Sequence, residues 1–429
     1  MKYTSPPPSV FQAHREQFIL KMQPGCAAVF FSNDLVVTNG DGHYPFIQES
    51  NLYYLTGIDQ EDTILFLFHD SPRPQFREVL FIRRTNQEIK IWEGEKLTKE
   101  QASAISGIET VMYTDEFENF FLTQVYLIQG LYLYFNEHDR NRLFYPTASH
   151  RFAYKLQQQF PALKIERAAP ILYALRMIKS EEEIEQIKRA ISITAQAFER
   201  VAKFVKPGVY EYEIEAEIIH EFIRNRSRRP AYEPIVASGA NACVLHYIAN
   251  NKQCKEGDLV LLDFGAEYGN YASDLTRTIP VNGKFTPRQK EVYMAVCRVF
   301  EYAKSLLIPG NQLETYTQEV GAFMQEELKQ LGLLTEKDIQ NASPSSPAYK
   351  KYFPHGVSHH LGLVTHDNSL RFTPFAPGMV LTCEPGIYIP EEGIGIRLEN
   401  DILITENGPQ DLMEMIPMHW EAIENLMNT

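Results

Sequence analysis

Four acids stand at or beside the ends of apolar runs in the second half of the chain. Asp263 closes the run from Leu259 to Leu262, and Asp274 precedes Leu275 to Ile279. Glu384 follows Leu381-Thr382-Cys383 at a Pro-Gly turn, and Glu399 lies in Ile396-Arg397-Leu398-Glu399-Asn400-Asp401. The first pair alone, D-x10-D, would more often be two surface acids flanking a turn. Convergence of all four changes the chemistry. Two like charges 4 Å apart repel by about 4 kcal/mol at an effective dielectric of 20, so four such acids cannot all stay ionised without compensation. Arg397 supplies one positive charge. Two divalent cations would balance the set, and His359 would complete an oxygen-rich ligand sphere. Mixed carboxylate and imidazole donors suit Mn, Fe, Co or Zn in an open site, not a thiolate-held structural zinc. Four of the 12 histidines (His355, His359, His360 and His366) fall close together with Gly356 and Gly362 among them, a loop built to present imidazoles. Cys383 adjoins Glu384, points the other way in strand alternation, and is read as core.

These residues need elements to hold them. The stretch LVLLDFGAEYGNYASDLTRTIP, residues 259–280, reads as a hairpin turning through Gly265 and Gly269, which lays Asp263 beside Asp274. Further strands are expected at 233–238, 379–383 and 394–404, with Arg397 and Glu399 on one face of the last. A capping box at Ser180-Glu181-Glu182-Glu183 opens a helix with apolar positions at Ile184, Ile187, Ile191, Ala195, Phe198, Ala202 and Val205. Pro207-Gly208 stops it. Further helices are expected over 211–224, from Pro287 to Leu307 and over 313–331. Long helices interspersed with hairpins imply an α+β domain with helices on one face of a mostly antiparallel sheet.

The first part of the chain reads as a smaller α/β domain. After an arm and a short helix, strands are expected at 27–31, 64–68, 79–82 and 131–135, with Gln48 to Gly57 in a loop between the first two. Residues 99–106 and 114–130 read as helices or irregular connections. There is no G-x-G-x-x-G and no phosphate-binding G-x-x-x-x-G-K-[ST]. The boundary falls near Pro170 to Lys179, giving domains 1–172 and 173–429.

Composition narrows the function. The 429 residues carry 44% apolar and 22% charged side chains, as in a globular protein of two domains. A net charge of −14 disfavours nonspecific binding to nucleic acid or to an acidic membrane. No run approaches the roughly 20 apolar residues needed to span a bilayer. The 5 cysteines are scattered, with no C-x-x-C, and the start has no apolar leader core, which together point to reduced thiols in a cytoplasm.

The order Asp263, Asp274, His359, Glu384, Glu399 resembles the five-ligand signature of the pita-bread metallopeptidases, which include methionine aminopeptidase, prolidase and aminopeptidase P. Val236-Ala237-Ser238-Gly239-Ala240-Asn241 through Leu245-His246-Tyr247 is similar to aminopeptidase P. So are Val281-Asn282-Gly283-Lys284-Phe285-Thr286, the 355–367 loop and Glu384-Pro385-Gly386-Ile387-Tyr388. In the first domain Asn51-Leu52-Tyr53-Tyr54-Leu55-Thr56-Gly57 and Ile91-Trp92-Glu93-Gly94 carry the likeness. The resemblance implies a pita-bread catalytic domain behind a creatinase-like N-terminal domain. It implies two divalent metals per subunit, most often Mn2+, with Asp274 and Glu399 bridging, Asp263 on one ion, and His359 and Glu384 on the other.

Glu384 is implied as proton shuttle, and His246 and His366 as residues that stabilise the oxyanion and orient the substrate. His355, Tyr232 and Arg397 are implied to line the proline pocket or brace the ligands. Asn51, where many relatives carry Asp, would meet the substrate's amine more weakly than an acid would. His360, where an aromatic is usual, would make its wall of the pocket more polar. Trp92 would reach a neighbouring subunit of a homodimer or homotetramer. The implied activity is release of the N-terminal residue from peptides with proline second. A dipeptide-restricted prolidase and a catalytically silent peptide-binding member of the fold are the alternatives.

Overall fold

A computed structural model describes residues 3–138, 145–343 and 345–429. The chain divides into two compact units, one from Ser5 to Arg176 and a second from Met177 to Thr429 that also takes in Tyr3 and Thr4.

The first unit is built on strands β1 (Cys26–Phe31), β2 (Ile64–Leu67), β3 (Glu78–Ile82), β4 (Thr110–Tyr113), β5 (Gly130–Leu133) and β6 (Lys164–Arg167). They form one sheet in the order β4-β3-β2-β1-β5-β6. The β1–β2 and β2–β3 pairs are antiparallel and the rest parallel. One face packs on an aromatic core of Phe66, Phe81, Phe117, Phe120 and Phe121. The two strands that the sequence pattern did not reveal, β4 and β6, are the sheet edges. β6 reads Lys-Ile-Glu-Arg, and its charged side chains suit an edge exposed to water.

The stretch expected as a loop around Asn51 holds a helix, Ser50–Thr56. Glu49 caps it by accepting from the Leu52 N–H, and Gly57 ends it in the left-handed region at φ 69°. Every residue from Asn51 to Thr56 is buried, so no polar face marks the helical period in the sequence.

The second unit opens with helix Glu181–Phe204. The Ser180–Glu183 capping box is formed, and Ile187, Ala190, Ile191, Ala197, Phe198 and Val201 make its buried face. Helices Glu211–Arg224, Pro287–Ser305 and Leu313–Gln330 follow the expected pattern, with Pro287 in the first turn behind the Thr286 cap. The strands are β7 (Ile235–Ser238), β8 (Leu259–Phe264), β9 (Glu267–Tyr268), β10 (Tyr271–Ala272), β11 (Leu275–Pro280), β12 (Val380–Cys383), β13 (Gly386–Ile389), β14 (Ile394–Arg397), β15 (Asn400–Thr405) and β16 (Gly408–Asp411). All named pairings among them are antiparallel. Among the described residues no helix is long and apolar enough to cross a membrane.

Two features of this unit position acids. The β8–β11 hairpin sets Asp263 opposite Thr276, with Asp274 one residue before β11 begins. Its tip folds back as the β9–β10 ribbon, turning through Gly269 and Asn270, both at positive φ. Gly265 makes the fold-back possible: a Cβ there would lie 1.7 Å from the Ser273 carbonyl oxygen. The second feature is a long strand pair expected as a single strand over 394–404. β12 pairs with β15 from Val380↔Leu403 to Cys383↔Asn400, and β13 with β14 from Gly386↔Arg397 onward. Both ladders keep one register, so Glu384 stands opposite Glu399 in the gap between them. The pairing breaks there because the Glu399 N–H turns aside to the Thr276 carbonyl at 3.1 Å.

Gly265→Ala is expected to cost about 3 kcal/mol, the upper end of overpacking penalties, because the obstacle is backbone and cannot rotate away. A urea melt together with metal analysis would check it; unchanged stability would contradict the tight fold-back.

Candidate metal centre

The acids converge. The single hydroxyl of Tyr232 lies 2.6 Å from Asp263 Oδ1 and also contacts Asp274 Oδ1. Arg397, buried on β14, donates from Nη2 to Asp263 Oδ2 at 2.5 Å and from Nη1 to the Tyr388 hydroxyl at 2.8 Å. Its Nε reaches Thr276 Oγ1 at 3.2 Å. The Thr276 hydroxyl donates to Glu399 Oε2 at 2.6 Å. His359 Nδ1 is 3.1 Å from the His360 carbonyl, an arrangement that places its proton there and leaves Nε2 with a lone pair. That Nε2 lies 3.4 Å from Asp274 Oδ2 and 3.6 Å from Glu384 Oε1. One ligand atom from each of Asp274, His359 and Glu399 falls within 4.8 Å of the others.

The donor set fits divalent cations. A phenol with one proton cannot satisfy two ionised carboxylates at once. Like charges set directly opposite across a strand pair, as Glu384 and Glu399 are, destabilise it. Arg397 neutralises one charge among Asp263, Asp274, Glu384 and Glu399. Asp401, fully buried, adds another carboxyl whose Oδ2 accepts from the Asp274 N–H at 3.1 Å. Crowding the acids together raises their affinity for protons. Burial, and then the neighbouring acids, push Glu399 well above the ordinary carboxylate range. Burial likewise raises Asp274, and it lifts Glu384 to about 7. Burial works to lower His359, but Asp274 and Glu384 raise it overall.

The other expected site residues fall into two groups. His366 stands edge-on to His359 at 4.3 Å between ring centres. His355 donates from Nδ1 to the Gly356 carbonyl at 2.6 Å, and its Nε2 accepts from Tyr388, so Tyr388 links it to Arg397. Burial first, then Arg397, lowers His355 to about 3. His246 is exposed on the loop after β7.

Asn51 belongs to the first unit. There its Oδ1 accepts from Arg176 at 2.7 Å and its amide donates to Glu49 at 2.9 Å. Trp92, on helix Gln87–Glu93, is 81% exposed. Cys383 points into the core against Tyr316, as strand alternation implied. His360 is buried, with no hydrogen bond to Nδ1 among the described residues.

Thr276 and Tyr388 orient Glu399, Arg397 and His355, and neither was singled out for this role from the sequence. A signal was present for Thr276. Asp274, Thr276 and Thr278 alternate along one face of β11, and the Thr278 hydroxyl also meets the Arg397 backbone.

Residues 185–406 match the metallopeptidase family M24, and residues 11–127 match the N-terminal domain of aminopeptidase P. With the geometry above, these matches define a two-domain, metal-dependent hydrolase. The chain belongs to metallopeptidase family M24, its pita-bread domain preceded by an aminopeptidase P N-terminal domain.

It is 38% identical to the Xaa-Pro aminopeptidase of Escherichia coli, with 97% of each chain covered. Proline aminopeptidase P II from Yersinia pestis superimposes with a TM-score of 0.87 at 36% identity, covering 98% of this chain and 99% of that one. Zinc-substituted Escherichia coli aminopeptidase P in complex with product gives a TM-score of 0.87 at 34% identity, with 99% of each chain covered.

The raised acids and His359 all hold their protons more tightly folded than unfolded. Their contribution to stability is therefore complete below about pH 4 and is lost as pH rises through the folded values, near 7 for Glu384. Metal binding needs the ionised carboxylates and the neutral imidazole, and so strengthens over the same range. The gap in Tm between metal-loaded and chelated protein is expected to widen from pH 5.5 to pH 8 in calorimetry. A constant gap would place the metal elsewhere.

Proposed function

We propose that this protein is a metal-dependent Xaa-Pro aminopeptidase that releases the N-terminal residue from peptides whose second residue is proline. The observation that carries the reading is the convergence of buried Asp263, Asp274, Glu399 and His359 with half-buried Glu384, the Arg397 guanidinium set against Asp263. Family membership and the Xaa-Pro aminopeptidases among the relatives support it.

The five side chains would hold two divalent ions, which supply Lewis acidity and lower the pKa of water when bound. The donor set suits Mn2+, Fe2+, Co2+ or Zn2+, and Mn2+ is assigned on the family resemblance. Glu384 stands at the mouth of the cluster, half-buried, with its pKa raised to about 7. A carboxyl within reach of both the water and the leaving nitrogen can take a proton at one moment and return it at the next. We assign it the transfer from the attacking water to the leaving proline nitrogen, which cannot depart as an anion.

His366 beside His359, and His246 on the loop after β7, are assigned to the developing oxyanion and to substrate orientation. His355, Tyr232 and Arg397 brace the acids. The Tyr232 phenol stays protonated, since burial, Asp263 and Asp274 all raise it. Free thiols at all five cysteines support a reducing compartment, the cytoplasm. The exposed Ile91 and Trp92 support assembly as a homodimer or homotetramer.

Glu384→Gln is expected to lower kcat by about 10²–10⁴-fold, the range for a lost general acid–base, while circular dichroism stays unchanged. A series from Xaa-Pro to longer Xaa-Pro peptides separates the readings. Turnover of tripeptides and longer substrates is expected; cleavage of dipeptides alone would replace the aminopeptidase with a prolidase. Dialysis against chelator is expected to abolish turnover and Mn2+ to restore it, and a metal-replete protein that cleaves no member of the series would point to a binding role.

A further inference from the structure

The loop between β7 and β8 carries His246 yet has almost no regular structure of its own: a short 3-10 turn, Gly239–Cys243, and then irregular chain. Such a segment cannot fix an imidazole by sheet or helix bonds, so the restraint must come from elsewhere. It comes from one buried carboxylate. Glu211, the first residue of helix Glu211–Arg224, is 0% exposed.

Its Oε1 accepts from the Ser238 N–H at 2.8 Å, the Ser238 hydroxyl at 2.7 Å and the Asn241 amide at 3.2 Å. Its Oε2 accepts from the Tyr247 hydroxyl at 2.8 Å and the Lys252 N–H at 2.9 Å. The Glu211 N–H returns to the Lys252 carbonyl at 2.9 Å. One side chain therefore grips both ends of the loop and the residue next to His246.

A second acid one turn along completes the grip. Glu215 Oε2 accepts from Asn250, whose amide also bonds to the Pro234 carbonyl and the Val236 N–H. Between these anchors the loop alternates. Cys243, Leu245 and Tyr247 pack on the cluster that includes Tyr388. Val244 and Ile248, 53% and 51% exposed, face outward with His246 between them.

We propose that Glu211 is a positioning residue for the reaction: its carboxylate locks the 239–252 loop, and with it the backbone that carries His246, in one shape. A carboxylate is required because all five of its contacts are donors. Glutamine would turn one end into a donor facing the Lys252 N–H and the Tyr247 hydroxyl. The proposal rests on the assignment of His246 to the reaction, and its test separates the two.

The metal-loaded full chain is assayed as wild type, Glu211→Gln, His246→Ala and the double variant, with metal content measured for each. Glu211→Gln is expected to lower kcat/KM by up to about 100-fold, as a misplaced catalytic group does, with metal content unchanged. In the His246→Ala background the same change is expected to alter kcat/KM less than about three-fold, because the group it positions is gone. Amide hydrogen exchange is expected to rise in 239–252 and to stay unchanged in 355–367, a readout independent of turnover.

Losses that multiply in the double variant, or protection of 239–252 unchanged in Glu211→Gln, would overturn the proposal. A His246→Ala enzyme as active as wild type would instead overturn the assignment of His246, with the exchange result still judging the clamp. Tyr247→Phe, which removes one donor and little volume, serves if Glu211→Gln does not fold. It should show a several-fold loss that again vanishes without His246, and independence from His246 would count against the clamp.

Discussion

Repulsion between buried carboxylates governs the second unit. Asp263, Asp274, Glu384, Glu399 and Asp401 are drawn together, with the Arg397 guanidinium on Asp263. In water each acid would ionise freely; out of water, each ionised neighbour makes the next ionisation costlier. The surrounding polar groups make sense as a response. Tyr232, Arg397 and the Thr276 hydroxyl all donate inward, and Tyr388 relays Arg397 to His355. They orient the acids but do not cancel the charge. The remainder is what divalent cations would supply.

The backbone solves the delivery problem with a single device used twice. In the β8–β11 hairpin, Gly265 lets the chain fold back so closely that two acids emerge at the same end. In the β12–β13 and β14–β15 pair, a continuous register is interrupted where Glu384 and Glu399 face each other. The bond from the Glu399 N–H to Thr276 then ties the second pair to the first. Four acids thus arrive from two strand pairs joined at one point, on backbone that is buried and ordered. Catalytic groups set on strands in this way are held more closely than groups on loops. The imidazoles of the 355–367 loop and of His246 need separate anchoring, and the Glu211 carboxylate provides it for the latter.

Much of this was readable before any coordinate. The Ser180 capping box, the Pro287 helix start and the hairpin through Gly265 and Gly269 follow from local chemistry, and each formed. So did the inward face shared by Arg397 and Glu399. The failures share a cause. Edge strands β4 and β6 lack an apolar face because they need none, and helix Ser50–Thr56 shows no period because it is buried on every side. The 394–404 strand looked unbroken because nothing local marks where a backbone N–H will find a distant partner.

The sequence by itself determined which residue types were available for chemistry, the helices that begin and end on capping signals, and the excess of acid that demands cations. Those depend on neighbours within a few positions, or on composition. Only the tertiary structure decided that Glu384 meets Glu399 across a gap, that one Tyr232 hydroxyl serves two aspartates, and that Glu211 grips both ends of a loop. Those contacts join residues from 15 to over 40 positions apart. Their geometry exists only once the strands have paired and water has left.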